Sequence, residues 1–97
     1  MHGLLKVYLR SEREIAKAEH ELWDRVWYYR HLVRIHNAQW DKTLDTPKMT
    51  KDIMKKRRKQ YGRGITRRMS DFEWGYMQGK FSALRWVLGT EWDFLDT

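Results

Sequence analysis

Between Leu4 and Trp40 the chain contains neither proline nor glycine. Over that stretch Ile15, Ala18, Leu22, Val26, Tyr29, Val33, His36 and Trp40 recur at intervals of three or four, after Leu4, Leu5 and Tyr8 upstream. Apolar positions on that period mark one face of an α-helix. The stripe predicts one long helix over 3–40, about 55 Å at a rise of 1.5 Å per residue. Ser11-Glu12-Arg13-Glu14 has the form of a second helix start, at which the first stretch would fray or break. A helix of this length outruns the partners that one small chain can offer it. A hairpin and a homodimer are therefore expected.

Two further helices are signalled. Thr46-Pro47 has the form of an N-cap followed by proline at the first helical position. The helix it opens would run to about Tyr61, with Met49, Ile53, Met54 and Tyr61 as a thin apolar stripe, and would end at Gly62-Arg63-Gly64. Ser70-Asp71-Phe72-Glu73 reads as a capping box, with Met69 and Trp74 placed for a hydrophobic staple. The third helix continues to Leu88, with Gly89 as its C-terminal cap, and presents Trp74, Met77, Phe81, Leu84 and Leu88 on one face. Gly75, Gly79 and Ala83, four apart, form a second face of small residues. Each glycine inside a helix costs about 1 kcal/mol against alanine. Close approach by another helix, within the chain or across a dimer, is the usual compensation. Trp92, Phe94 and Leu95 make the tail 90–97 too apolar to be free, which suggests a docking turn. No strand pattern, repeat or low-complexity stretch appears.

The 97 residues suffice for one helical domain over 1–97, and no cysteine is available for a disulfide or a thiolate metal site. No apolar run approaches the roughly 18 residues that a membrane span needs. The first six residues lack the pattern of a signal peptide. A soluble, cytoplasmic protein is expected, without membrane partners.

The net charge of +7 is confined to one segment. Residues 48–68 hold ten basic residues and one acid, Asp52, hence +9, whereas the remainder holds ten basic and twelve acidic residues, hence −2. Such a block attracts polyanions through its local potential. Lys55, Lys56, Arg57, Arg58, Lys59, Arg63, Arg67 and Arg68 are the expected contacts along a phosphate backbone. Gly62 and Gly64 would let backbone amides face an anion, and Tyr61 would stack on a base or cap the helix. No zinc finger, groove-reading motif or RNA-recognition signature accompanies the block, so sequence-specific reading is not indicated.

On the long helix, His20, Trp23, Trp27, Arg30, His31 and Arg34 lie away from the main stripe. Trp and Arg anchor interfaces more than other residues, so Trp23, Trp27, Arg30, Arg34, Trp92 and Phe94 form a candidate partner surface, unless another helix of the chain covers them. His31 and His36 are five apart, which does not place two metal ligands on one helix face, and His20 with Asp24 reads as a hydrogen-bonded pair. No metal or cofactor is expected, and no P-loop, nucleophile elbow or dinucleotide fingerprint is present.

Two resemblances add to this. Arg30-His31-Leu32-Val33-Arg34-Ile35-His36 has the form arginine, polar residue, four residues, histidine. These seven residues resemble the signature of the HEPN ribonuclease superfamily, all-helical and usually dimeric. That resemblance implies Arg30 and His36 as an RNA-cleaving pair, with His31 as the accompanying polar residue. A histidine near neutral pKa would move the 2′-hydroxyl proton while arginine holds the phosphate. The stretch from Phe72-Glu73-Trp74-Gly75 through Gly79-Lys80-Phe81 to Glu91-Trp92-Asp93 resembles small uncharacterised proteins of bacteria and their phages. This implies a microbial or mobile-element origin and brings no activity with it.

The reading adopted is an all-α fold: the long N-terminal helix forms an antiparallel hairpin with the Gly-faced C-terminal helix, with the basic helix between them in the chain. The expected function is non-catalytic binding of nucleic acid or a nucleic-acid-binding protein, as a regulator of nucleic-acid transactions or an inhibitor of a host enzyme. A protein-interaction module acting through the Trp-rich face and tail is the alternative, and a HEPN-like ribonuclease the second.

Overall fold

The computed structural model describes residues 8–38 and 47–92. Among them are three α-helices and no strand: α1 Glu12–Ala38, α2 Lys48–Tyr61 and α3 Asp71–Val87, with a 3-10 turn at Arg63–Thr66.

The start of α1 corrects the expectation of a helix continuous from residue 3. Residues 8–11 are not helical, and the helix opens at Ser11. The Ser11 hydroxyl accepts from the Glu14 amide at 3.1 Å, and the Glu14 carboxylate accepts from the Ser11 amide at 3.3 Å. This reciprocal box satisfies amides that have no partner in the first turn, so it defines the boundary locally. Tyr8 and Leu9 just upstream are strongly exposed and do not extend the buried stripe. Leu4, Leu5, Trp40 and Thr46 lie outside the described residues.

Pro47 stands one position earlier than the sequence suggests. It precedes α2 in extended conformation (ψ 147°), and its carbonyl accepts from the Lys51 amide at 3.1 Å. Gly62 ends α2 at φ +81°, a conformation that side chains disfavour. The capping box of α3 forms as expected between Ser70 and Glu73. Its far end closes as a Schellman motif around Gly89 (φ +109°). The Gly89 amide donates to Trp86 at 3.0 Å, and the Thr90 amide to Arg85 at 2.8 Å.

The three helices do not share one core. α3 runs antiparallel to α1: Tyr29 stacks near Trp74 at 4.9 Å, Trp23 meets Phe81 at 5.9 Å, and Ala18 and Leu22 share a groove with Leu84. Phe81 is fully buried. The Tyr29 hydroxyl also donates to the Met69 carbonyl at 3.1 Å, tying the start of α3 to α1. α2 packs on a different face of α1, where Tyr28, Met54 and Ile65 are buried and Trp27, Leu32, Ile35 and Tyr61 surround them. α2 and α3 do not touch. The antiparallel hairpin is thus present, and α1 stands between the other two helices with two buried faces.

On the small-residue face of α3, Ala83 borders the groove with Ala18 and Leu22, whereas the two glycines face open space. A Cβ built at Gly75 or Gly79 meets nothing within 4 Å. The intrachain version of that expectation is therefore corrected: Phe81 and its neighbours, not the glycines, pack against α1. Among the described residues no helix is long and apolar enough to cross a membrane.

Candidate polyanion-binding surface

The basic segment separates into members engaged within the chain and members that are not, and a buried carboxylate anchors the first group. Asp24, on α1, is 3% exposed. Its Oδ2 accepts from the Tyr61 hydroxyl at 2.6 Å, its Oδ1 lies 3.3 Å from Arg57 Nε, and His20 Nε2 lies 3.8 Å from Oδ2. A buried charge requires such partners, because its lost hydration is otherwise uncompensated. One turn further along α1, Arg58 Nη1 donates to the hydroxyl of buried Tyr28 at 3.1 Å. Arg25 lies over the Tyr61 ring, 5.0 Å from its centroid.

Arg57, Arg58 and Tyr61 therefore hold α2 on α1, while Arg58 stays exposed. Tyr61 has its hydroxyl on Asp24 and one ring face under Arg25. Arg67 forms an ion pair with Glu73, whose carboxyl is held down at about 2 by that guanidinium and by the Ser70 amide. The loop amides are also engaged. The Gly62 amide donates to Arg58 at 2.8 Å, and those of Ile65 and Arg67 donate back to Gly62 and Gly64 at 3.3 Å. The Gly62 amide thus closes the helix and does not face an anion.

Lys48, Lys51, Lys55, Lys56, Lys59, Arg63 and Arg68 remain. All are exposed, and none of them is joined to a carboxylate among the described residues. At 100° per residue, Lys48, Lys55 and Lys59 form one row about 100–140° round α2 from Met54, flanked by Lys51 on the side nearer Met54 and by Lys56 nearly opposite it. From Lys48 to Lys59 this row is about 16 Å long. Asp52 is exposed on the same side and is its only acid. Arg68 stands apart, lining a cleft with His36, Thr66 and the end of α1.

The Trp-rich candidate surface is partly assembled. Trp23, Trp27, Arg30 and His31 border one shallow cleft with Val26 and Phe81. Trp23 remains 47% exposed, whereas Trp27 is partly buried against the α2 core and stacks on His31 at 4.1 Å. Burial, then the charge of Arg34, lowers the His31 pKa. Arg34 is exposed. Trp92 is remote from this cleft and packs edge-on against Trp86 at 5.1 Å, while Phe94 lies outside the described residues.

Arg30 and His36, the pair implied by the ribonuclease-like motif, do not line a common cleft: Arg30 borders the Trp23 cleft, and His36 the Arg68 cleft. Among the described residues no group of three metal-ligating side chains converges. Comparison with protein-family models, with curated proteins and with solved structures gives no match.

The Asp24 cluster has a consequence at alkaline pH. Burial, reinforced by the bond to Asp24, pushes the Tyr61 hydroxyl up to about 12, above its ordinary 10. A raised folded-state pKa contributes stability that is complete below pH 10 and is lost as pH rises through 10 towards 12. Denaturant midpoints measured across this window should fall for the native chain. In Tyr61→Phe the fall should be shallower. Parallel curves would remove Tyr61 as its source.

Proposed function

We propose that the chain is a non-catalytic binder of nucleic acid, gripping the phosphate backbone with the outward lysines of α2 and with Arg63. The observation that carries this reading is the row Lys48, Lys55 and Lys59, flanked by Lys51 and Lys56. These cations stay exposed without acidic partners, while Arg57, Arg58 and Arg67 of the same segment are engaged internally. Five lysines on one short helix exceed what solubility demands, and an exposed ammonium row suits contacts that position a backbone without reading bases. In a cell such a protein would act as a regulator of nucleic-acid transactions, or as an inhibitor that occupies the surface of a nucleic-acid enzyme or its substrate.

Binding of a mixed-sequence duplex, followed by fluorescence anisotropy over a salt series, tests this reading. About five phosphate contacts give a log–log salt slope near −4 to −5. Scrambling the base sequence should leave the affinity unchanged. A binding constant that does not move with salt, or no binding at low salt, would overturn the proposal.

A second reading rests on Trp23, which is 47% exposed at the edge of an aromatic cleft. On that reading the cleft receives an apolar side chain of a protein partner. Trp23→Ala would then abolish a stoichiometric complex that survives both high salt and nuclease treatment.

A further inference from the structure

α3 presents a second apolar face, opposite the one that packs on α1. Phe72 is 82% exposed, Tyr76 62% and Trp86 52%, and Gly75 and Gly79 between them are exposed as well. At 100° per residue, positions 72, 75, 76, 79, 83 and 86 form one continuous arc. The arc runs about 20 Å, from Phe72 to Trp86, without one charged residue. Asp71, Glu73, Lys80 and Arg85 are rooted outside it, and Lys80 Nζ reaches over one edge, 4.9 Å from the Tyr76 ring centroid. Three large aromatics exposed on one helix face mark an interaction surface.

We infer that this face joins two copies of the chain, antiparallel and centred on Gly79. The residues read nearly the same outward in both directions from that glycine. Phe72 and Trp86 lie seven positions to either side, and Gly75 and Ala83 four. A two-fold interface needs this self-complementarity, because each patch must fit a reversed copy of itself. In the antiparallel pair Phe72 of each copy meets Trp86 of the other, and Tyr76 lies over the small Ala83. The Gly79 backbones approach at the centre, where a side chain would hold them apart. A Cβ at Gly79 or Gly75 meets nothing inside the chain, so no contact within the monomer requires glycine at these positions. The antiparallel arrangement also sets the helix dipoles against each other favourably. α2 lies on another face of α1 and does not touch α3, so both lysine rows stay exposed in the dimer.

A single helix face is at the small end of specific interfaces, so the dimer should form in the micromolar range. Sedimentation velocity on the full chain, from micromolar concentrations up to roughly 1 mM, should show a reversible monomer–dimer equilibrium. Gly79→Leu should weaken association at least tenfold while the melting temperature of dilute monomer holds or rises, since leucine favours helix and finds open space. Phe72→Glu and Trp86→Lys should each abolish association, and the double variant should restore it, because the two new charges face each other only in the antiparallel pair. A chain that stays monomeric throughout would overturn the inference, and so would a dimer indifferent to Gly79→Leu. A double variant that fails to regain association would overturn the antiparallel register. None of these outcomes depends on whether nucleic acid binds to α2.

Discussion

Asp24→Ala is expected to lower the folding stability by about 2–4 kcal/mol, a large share of the roughly 5–15 kcal/mol available to a small domain. The loss comes less from the missing bonds than from what the substitution leaves behind. Arg57 would keep its guanidinium at the α1–α2 contact without a counter-charge, and the Tyr61 hydroxyl would lose its acceptor. The cost lies at the lower end for a broken buried pair because the Arg57 side chain is 28% exposed and can reach water. Urea denaturation followed by circular dichroism measures it. Asp24→Asn should lose less, since an amide oxygen still accepts from Tyr61. A midpoint for Asp24→Ala equal to that of the native chain would mean that the cluster makes no net contribution, and that Met54 and Tyr28 alone dock α2.

The second large effect is on binding. Lys55→Ala, Lys56→Ala and Lys59→Ala combined should weaken duplex affinity about a hundredfold near 0.1 M salt and reduce the salt slope by about three. These side chains are exposed and make no ion pair, so the variant should unfold at the same urea concentration as the native chain. Arg57→Ala should show the opposite pattern, with lower stability and a smaller change in affinity. Unchanged affinity in the triple-lysine variant would place the nucleic acid elsewhere on the molecule.

The contrast between these variants shows where a charge count stops being informative. All eight cations of the basic segment from Lys55 to Arg68 look equivalent in a sequence of alternating Lys and Arg. For Arg57 and Arg58 the difference arises from α1, which lies more than twenty residues away in the chain, and for Arg67 from Glu73 at the start of α3. Arg57 finds Asp24, Arg58 finds Tyr28 and Arg67 finds Glu73, while the lysines face outward. Arginine suits the inward positions because its planar fork hydrogen-bonds in a fixed geometry and is less strongly hydrated than an ammonium.

The second buried face of α1 was hidden for a related reason. Periodic apolar residues reveal the side that packs on α3, from Ile15 to Val33. The side that packs on α2 passes through Asp24, Tyr28, Trp27 and Ile35, and a carboxylate in that row reads as solvent-facing until its partners are known. Simple geometry separates Arg30 from His36. Six residues advance a helix by 600°, which sets them about 120° apart, and they border different clefts.

What the amino-acid sequence determined by itself is everything set by neighbours in the chain. The two capping boxes at Ser11 and Ser70, the glycine stops at Gly62 and Gly89, the all-helical class and the position of the positive segment all depend on residues within four positions of each other. Backbone amides at a helix end need partners within reach, and those partners are local. The tertiary structure alone decided that α1 lies between α2 and α3, that Arg57 and Arg58 are engaged by α1, and that the glycines of α3 face away from the chain's own core. Those outcomes rest on the desolvation of Asp24 and on packing between helices, and both depend on residues brought together from distant parts of the chain.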